Sequence, residues 1–183
     1  MRITGGARRG TRLATFGHRL IRPTTDRVRE AVFNVLGQRL DGKKVLDLFA
    51  GTGAMAIEAL SRGAEEATLV DRSTRAIDII RRNLKICGYT DRARVVKKDT
   101  IAAIKELSER GETFDIIFID APYGEPELTA RTVKTIAETS VLATDGVIVC
   151  ESSKRHKVEA PEGVRILKEK RYGDTMVYFL EKE

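Results

Sequence analysis

The chain has 183 residues, two cysteines, two histidines and no tryptophan, and its 33 basic and 27 acidic side chains give a net charge of +6. That length predicts one domain whose core needs no disulfides, and Cys87 and Cys150, with no C-x-x-C spacing and no companion histidine, exclude the usual metal and redox motifs. No apolar run approaches a membrane span, and the basic amino-terminal stretch lacks the apolar centre of a signal peptide, so a cytoplasmic protein with reduced thiols, bound to neither metal nor membrane, is expected.

In chain order, residues 1–29 carry eight arginines, no lysine and a single acid, Asp26, while the other 154 residues sum to −1. The positive charge is therefore local, and arginine gives bidentate phosphate contacts and stacks on bases. Ile3, Leu13, Phe16, Leu20 and Ile21 alternate with Gly5, Gly6 and Gly10, which reads as a short ordered ribbon and not as a solvated tail. Residues 1–22 are thus expected to be a basic nucleic-acid-binding extension of a domain over 23–183, with Arg8, Arg9, Arg12 and Arg22 on phosphates.

Pro23 to Asp26 carry helix-start signals, Val28, Ala31, Val32, Val35 and Leu36 repeat at helical spacing, and Gly42 is read as the end of that segment. Strands then alternate with helices. Strands are expected over 44–48, 67–70, 94–97, 114–119 and 146–150, and helices from the turn at 50–54 to about 61, then over 73–87, 101–108 and 128–139. Extended runs at 164–171 and 175–180 flank Tyr172-Gly173-Asp174 and read as an antiparallel hairpin. The expected fold is α/β: a mostly parallel, doubly wound, Rossmann-like sheet closed by an antiparallel C-terminal hairpin.

Two strand ends carry the chemistry. Val45 to Ala54 is strand, glycine turn, helix, and Gly51 and Gly53 let the backbone approach a ligand closely. Gly51-x-Gly53-x-x-Ala56, with Asp71 20 residues after Gly51, also fits a dinucleotide fingerprint, which leaves NAD open. Asp47 opposes NAD, because a pyrophosphate at that turn would meet a fixed negative charge. S-adenosylmethionine carries no phosphate, and its ammonium suits Asp47, its ribose diol Asp71 and its adenine amine Asp99. At the other strand end, the apolar run Phe114–Ile119 stops at Asp120-Ala121-Pro122-Tyr123. A carboxylate and a carbonyl there can each accept one N–H of an NH2 group, and the tyrosine ring can stack on a planar base.

Together these residues resemble the class I S-adenosylmethionine-dependent methyltransferases, and Asp120-Ala121-Pro122-Tyr123 resembles the Asp-Pro-Pro-Tyr motif of those that methylate exocyclic amines. Arg22 to Leu36, Leu46 to Ala54, Glu58 to Ala64 and Lys170 to Thr175 resemble the bacterial small-subunit (16S) ribosomal RNA guanine 2-amino methyltransferases over nearly the whole chain. The resemblance implies cofactor binding by Asp47, Phe49, Gly51, Gly53, Asp71, Arg72, Asp99 and Thr100, and a target amine held by Asp120, Ala121, Pro122 and Tyr123. It also implies a partner that is ribosomal RNA or a small-subunit assembly particle, met by a monomer. Ala121 departs from the family's proline and loses one fixed φ angle. Three other readings stay open: an adenine-amine methyltransferase on DNA or RNA, an NAD-dependent oxidoreductase and an inactive RNA-binding module. A protein glutamine methyltransferase would be expected to begin the motif with Asn.

Overall fold

The computed structural model describes residues 1–17, 25–122 and 125–183. Leu20, Ile21, Arg22 and the helix-start signals Pro23 and Thr24 lie outside them, as does Tyr123. The strands are β1 (Lys44–Leu48), β2 (Glu66–Asp71), β3 (Ala93–Lys97), β4 (Phe114–Ile119), β5 (Leu142–Ser153), β6 (Val164–Tyr172) and β7 (Thr175–Lys182). They form one sheet in the order β3-β2-β1-β4-β5-β7-β6. The first five are parallel; β7 is antiparallel to β5 and to β6. The winding runs from β1 out to β3 and restarts at β4, so the direction reverses between β1 and β4. Ligands in such sheets bind at that reversal, beyond the carboxyl ends of the strands.

Helices α1 (Asp26–Leu36), α2 (Ala54–Ser61), α3 (Thr74–Cys87), α4 (Thr100–Glu109) and α5 (Pro126–Ala137) cover both faces. Val45, Leu69, Phe118 and Val149 pack with α1, α2 and α3 in one core cluster. Leu46, Leu48, Ile117, Ile119 and Cys150 pack with α4 and α5 in the other. Burial on two sides explains why these strands read as nearly continuous apolar runs.

Several boundaries differ from expectation. The first helix stops at Gly37 (φ 110°), not at Gly42, because the Gly37 N–H closes the last turn on Phe33 and residues 38–43 then cross to β1. The helix expected over 128–139 starts two residues earlier, with Pro126 in its first turn, where a missing N–H costs nothing. β5 is longer than 146–150. Leu142 pairs with Phe114 across an irregularity in register, and Glu151 to Ser153 pair with β7.

Over its described residues, 1–17, the basic extension is a ribbon that shares the core. Arg2 and Arg12 form an antiparallel bridge, the Ile3 N–H donates to Thr11 O (3.0 Å) and the Gly10 N–H to Ile3 O (2.8 Å). Ile3 and Leu13 are buried in the α1–α3 cluster. Gly6 (φ 75°) makes the turn against Ser61, and a Cβ there would stand 1.8 Å from the Ser61 carbonyl oxygen. The ribbon is latched by Glu58, wholly buried in α2, which accepts the N–H groups of Thr4 (2.9 Å) and Gly5 (2.8 Å). Glu58 also pairs with the buried Arg29 and Arg62 (3.2 and 3.0 Å).

Candidate active site

The glycine turn begins where β1 ends. Phe49 follows with φ 61°, the one non-glycine residue with positive φ among those described. Such a conformation costs on the order of 1–3 kcal/mol and survives only where the surroundings impose it. They do so here: the Ala50 N–H donates to Val70 O (2.9 Å) and the Gly53 N–H to Ala50 O (2.7 Å). Gly53 (φ 77°) lies so close to β2 and α3 that a Cβ would stand 3.0 Å from Leu69 Cδ2.

Each of the predicted cofactor acids lies at or just past the carboxyl end of a strand and accepts from nearby backbone. Asp71 takes the Gly51 N–H on Oδ2 (2.9 Å) and the Ser73 N–H on Oδ1 (2.8 Å), which fixes the glycine turn to the end of β2. Asp99 caps α4, with Oδ1 accepting from Ile101 (3.0 Å) and Ala102 (3.1 Å). Thr100, next to it, is buried, whereas Arg72 is exposed. Asp47 is 3 % exposed and accepts the Ala56 N–H near the start of α2 (3.1 Å). Burial, opposed by that hydrogen bond and reinforced by Asp120 and Asp71, pushes its carboxyl up to about 8. The fixed negative charge expected of Asp47 is thus largely protonated near neutral pH in the free protein. What opposes a pyrophosphate is that Asp47 already occupies an N–H at the helix start.

Strand alternation aligns these groups. Val45, Leu69, Phe118 and Val149 face the α1–α3 cluster. Carried two residues on, the same face receives Asp47, Asp71, Asp120 and Glu151, on four neighbouring strands at the carboxyl edge. Asp120 is exposed at the end of β4. With Ala121 and Pro122 it lines an open cleft, whose other walls include the start of α5, Glu151, His156 and Thr175. Ser153 Oγ lies 3.2 Å from His156 Nδ1 and braces that wall. Tyr123, the expected stacking ring, belongs to the residues not described.

The ribbon reaches the glycine turn. The Phe16 ring comes within 3.9 Å of where a Gly51 Cβ would stand. Arg75 of α3 donates to Phe16 O (2.6 Å), and its guanidinium lies 5.6 Å from that ring's centre. Asn83, fully buried, accepts the Ala14 N–H (2.7 Å) and donates to Ala14 O (3.0 Å) and to Thr52 O (2.9 Å). One side-chain amide thus ties ribbon, α3 and glycine turn together. Arg8, Arg9 and Arg12 are exposed, with Arg8 6.0 Å from the centre of the Tyr89 ring. Asn83, Glu58 and Glu151 were not anticipated from the sequence. The signal for the first two was present: each is a polar residue at a position where the helical repeat calls for an apolar one.

Residues 1–181 match the family described as Conserved hypothetical protein 95. A Bacillus subtilis protein provisionally named an rRNA methyltransferase is 40% identical, over 100% of this chain and 99% of its own. The Escherichia coli ribosomal RNA small subunit methyltransferase D is 36% identical over 83% of this chain and 74% of its own. Among solved structures, an Escherichia coli protein provisionally called a methyltransferase superposes with a TM-score of 0.86 at 30% identity, covering 100% and 98% of the two chains. A more distant one, a provisionally named methyltransferase in complex with SAH, shares the fold at a TM-score of 0.73 and 18% identity, over 87% of this chain and 50% of its own. The chain therefore belongs to the Conserved hypothetical protein 95 family and has the Rossmann-like fold of the S-adenosylmethionine-dependent methyltransferases.

Proposed function

We propose that this protein is an S-adenosylmethionine-dependent ribosomal RNA methyltransferase that modifies the exocyclic 2-amino group of a guanine in small-subunit (16S) RNA. The observation that carries this reading is the row of carboxylates beside a glycine turn, continued by Asp120, Ala121 and Pro122 into an open cleft. The names of the relatives support the RNA class.

The residues fit the cofactor. At Gly51 a Cβ would meet nothing nearer than 3.9 Å, which leaves the turn open to a ligand, while Gly53 lets the turn pack closely on β2 and α3. Asp71 keeps lone pairs for a ribose diol, and Asp99, which spends only Oδ1 on its cap, keeps Oδ2 for an adenine amine. Asp47, once ionised, pairs with an ammonium. When bound, S-adenosylmethionine supplies an electrophilic methyl group on a sulfonium.

The chain's own residues do the rest. A guanine amine is a poor nucleophile because its lone pair is delocalised into the ring. Asp120 and the Ala121 carbonyl each accept one of its N–H groups, which favours a pyramidal nitrogen and directs the lone pair. The contribution is positioning and electrostatics. The base must leave its stack to enter the cleft, and a looped RNA makes that cheaper. The exposed Arg8, Arg9 and Arg12 hold the flanking phosphates, and the reaction takes place in the cytoplasm, on ribosomal RNA or a small-subunit assembly particle.

Mass mapping of small-subunit RNA from cells lacking the protein tests the reading. One guanine should lose a methyl group and regain it from purified protein and S-adenosylmethionine. An unchanged methylation map would reject the proposal.

A further inference from the structure

Asp120 has a counterpart on the neighbouring strand. β4 and β5 run parallel with Ile119 opposite Cys150. The next residues, Asp120 and Glu151, therefore stand level at the carboxyl edge, on strands about 4.8 Å apart. Ile119 and Cys150 both belong to the α4–α5 core cluster. Asp120 and Glu151 consequently turn to the opposite face together, and both line the cleft. Glu151 is half-buried and pairs with Val177 of β7, so the antiparallel hairpin fixes its backbone from the far side.

Guanine and adenine differ at the atom next to the amine. In guanine the 2-amino group is flanked by N1–H, a donor. In adenine the 6-amino group is flanked by N1 with a bare lone pair, an acceptor. A second carboxylate beside the one that holds the amine suits the first arrangement and repels the second, since its oxygen would face the adenine lone pair. We infer that Glu151 accepts the N1–H of the target base while Asp120 accepts from its 2-amino group, so that Glu151 selects guanine over adenine. This rests on the guanine reading above and adds the group that enforces it. The Asp120 motif alone serves any exocyclic amine; the choice of base lies one strand away.

The experiment uses the full-length protein and a small-subunit RNA fragment spanning the mapped guanine. A second fragment carries 2-aminopurine at that position, which keeps the 2-amino group and lacks N1–H. Glu151→Ala should lower kcat/KM on the guanine fragment about 10- to 100-fold, the range for losing one hydrogen bond to a charged acceptor. Binding of S-adenosylhomocysteine should not change. The preference for guanine over 2-aminopurine should shrink by a similar factor in Glu151→Ala relative to the parent, a cycle that isolates the contact. Glu151→Gln, whose amide oxygen still accepts, should restore part of the preference, and it carries the comparison if the alanine variant does not fold. Equal preference in parent and variant would overturn the role of Glu151 and leave the guanine reading standing. A parent that methylates no guanine 2-amino group would overturn both.

Discussion

The two halves of the carboxyl edge are built differently. On the β1–β2–β3 side the strand-end acids are committed to backbone: Asp47 to Ala56, Asp71 to Gly51 and Ser73, Asp99 to Ile101 and Ala102. On the β4–β5 side Asp120 is exposed beside an open cleft. The first half is assembled before any ligand arrives; the second, on the reading proposed above, takes a group that must be brought in. A small cofactor can be met by a finished site. A base swung out of folded RNA needs an entrance.

The largest test of that contrast is Asp120→Ala. Methyl transfer in a single turnover should fall by ~10²–10³, typical of one preorganised polar contact to a reacting group. Cofactor binding should hold, because no cofactor contact rests on this residue. Near-normal transfer with cofactor bound would mean that another group holds the amine. Asp71→Ala should act in the opposite half, weakening S-adenosylmethionine about 10- to 100-fold by calorimetry. It removes the proposed ribose acceptor and also frees the Gly51 N–H. Tight binding of NAD by the parent would break the comparison altogether.

Asp47 links the finished half to pH. Its carboxyl titrates at about 8 in the free protein, raised by burial and by the neighbouring Asp120 and Asp71. Pairing with an ammonium requires the ionised form, so binding releases a proton. Cofactor affinity should therefore rise with pH between about 6 and 7.5, by up to tenfold per unit, below the range where an α-amino group titrates. Proton release measured in two buffers should vanish in Asp47→Asn; a flat profile in the parent would remove Asp47 from the ammonium. The smallest effect is expected from Arg8, Arg9 and Arg12. Replacing all three with Ala should flatten the slope of log affinity against log salt by roughly 2–3. Cofactor affinity should be untouched, because it is Phe16 and Asn83, not these arginines, that meet the glycine turn.

Much of this was legible from local pattern. The strand–turn–helix at Val45–Ala54, the acids at the ends of β1, β2 and β4 and the closing hairpin each announce themselves within a few residues. Three features did not. Gly37 and Gly42 are equally plausible helix stops, and only the crossing to β1 chooses between them. Glu58 and Asn83 stand out as polar residues on buried helix positions, but what they hold is set only when the ribbon is laid over α2 and α3, a contact between segments more than 50 residues apart. Glu151 gains meaning only from register, since nothing in its own stretch says that it stands level with Asp120.

The latch at Glu58 bears on how such a protein can be altered. Its carboxylate pairs with two buried guanidiniums, one of which Asp26 also meets, while holding the backbone of Thr4 and Gly5. Removing one member of a buried ion pair commonly costs 3–5 kcal/mol, a large share of the stability of a domain this size. The amino-terminal ribbon is therefore not an exchangeable module. A graft from another protein must bring donors that suit Glu58 or arrive with a rebuilt α1 and α2, whereas the side chains of the exposed Arg8, Arg9 and Arg12 can be exchanged without touching the latch.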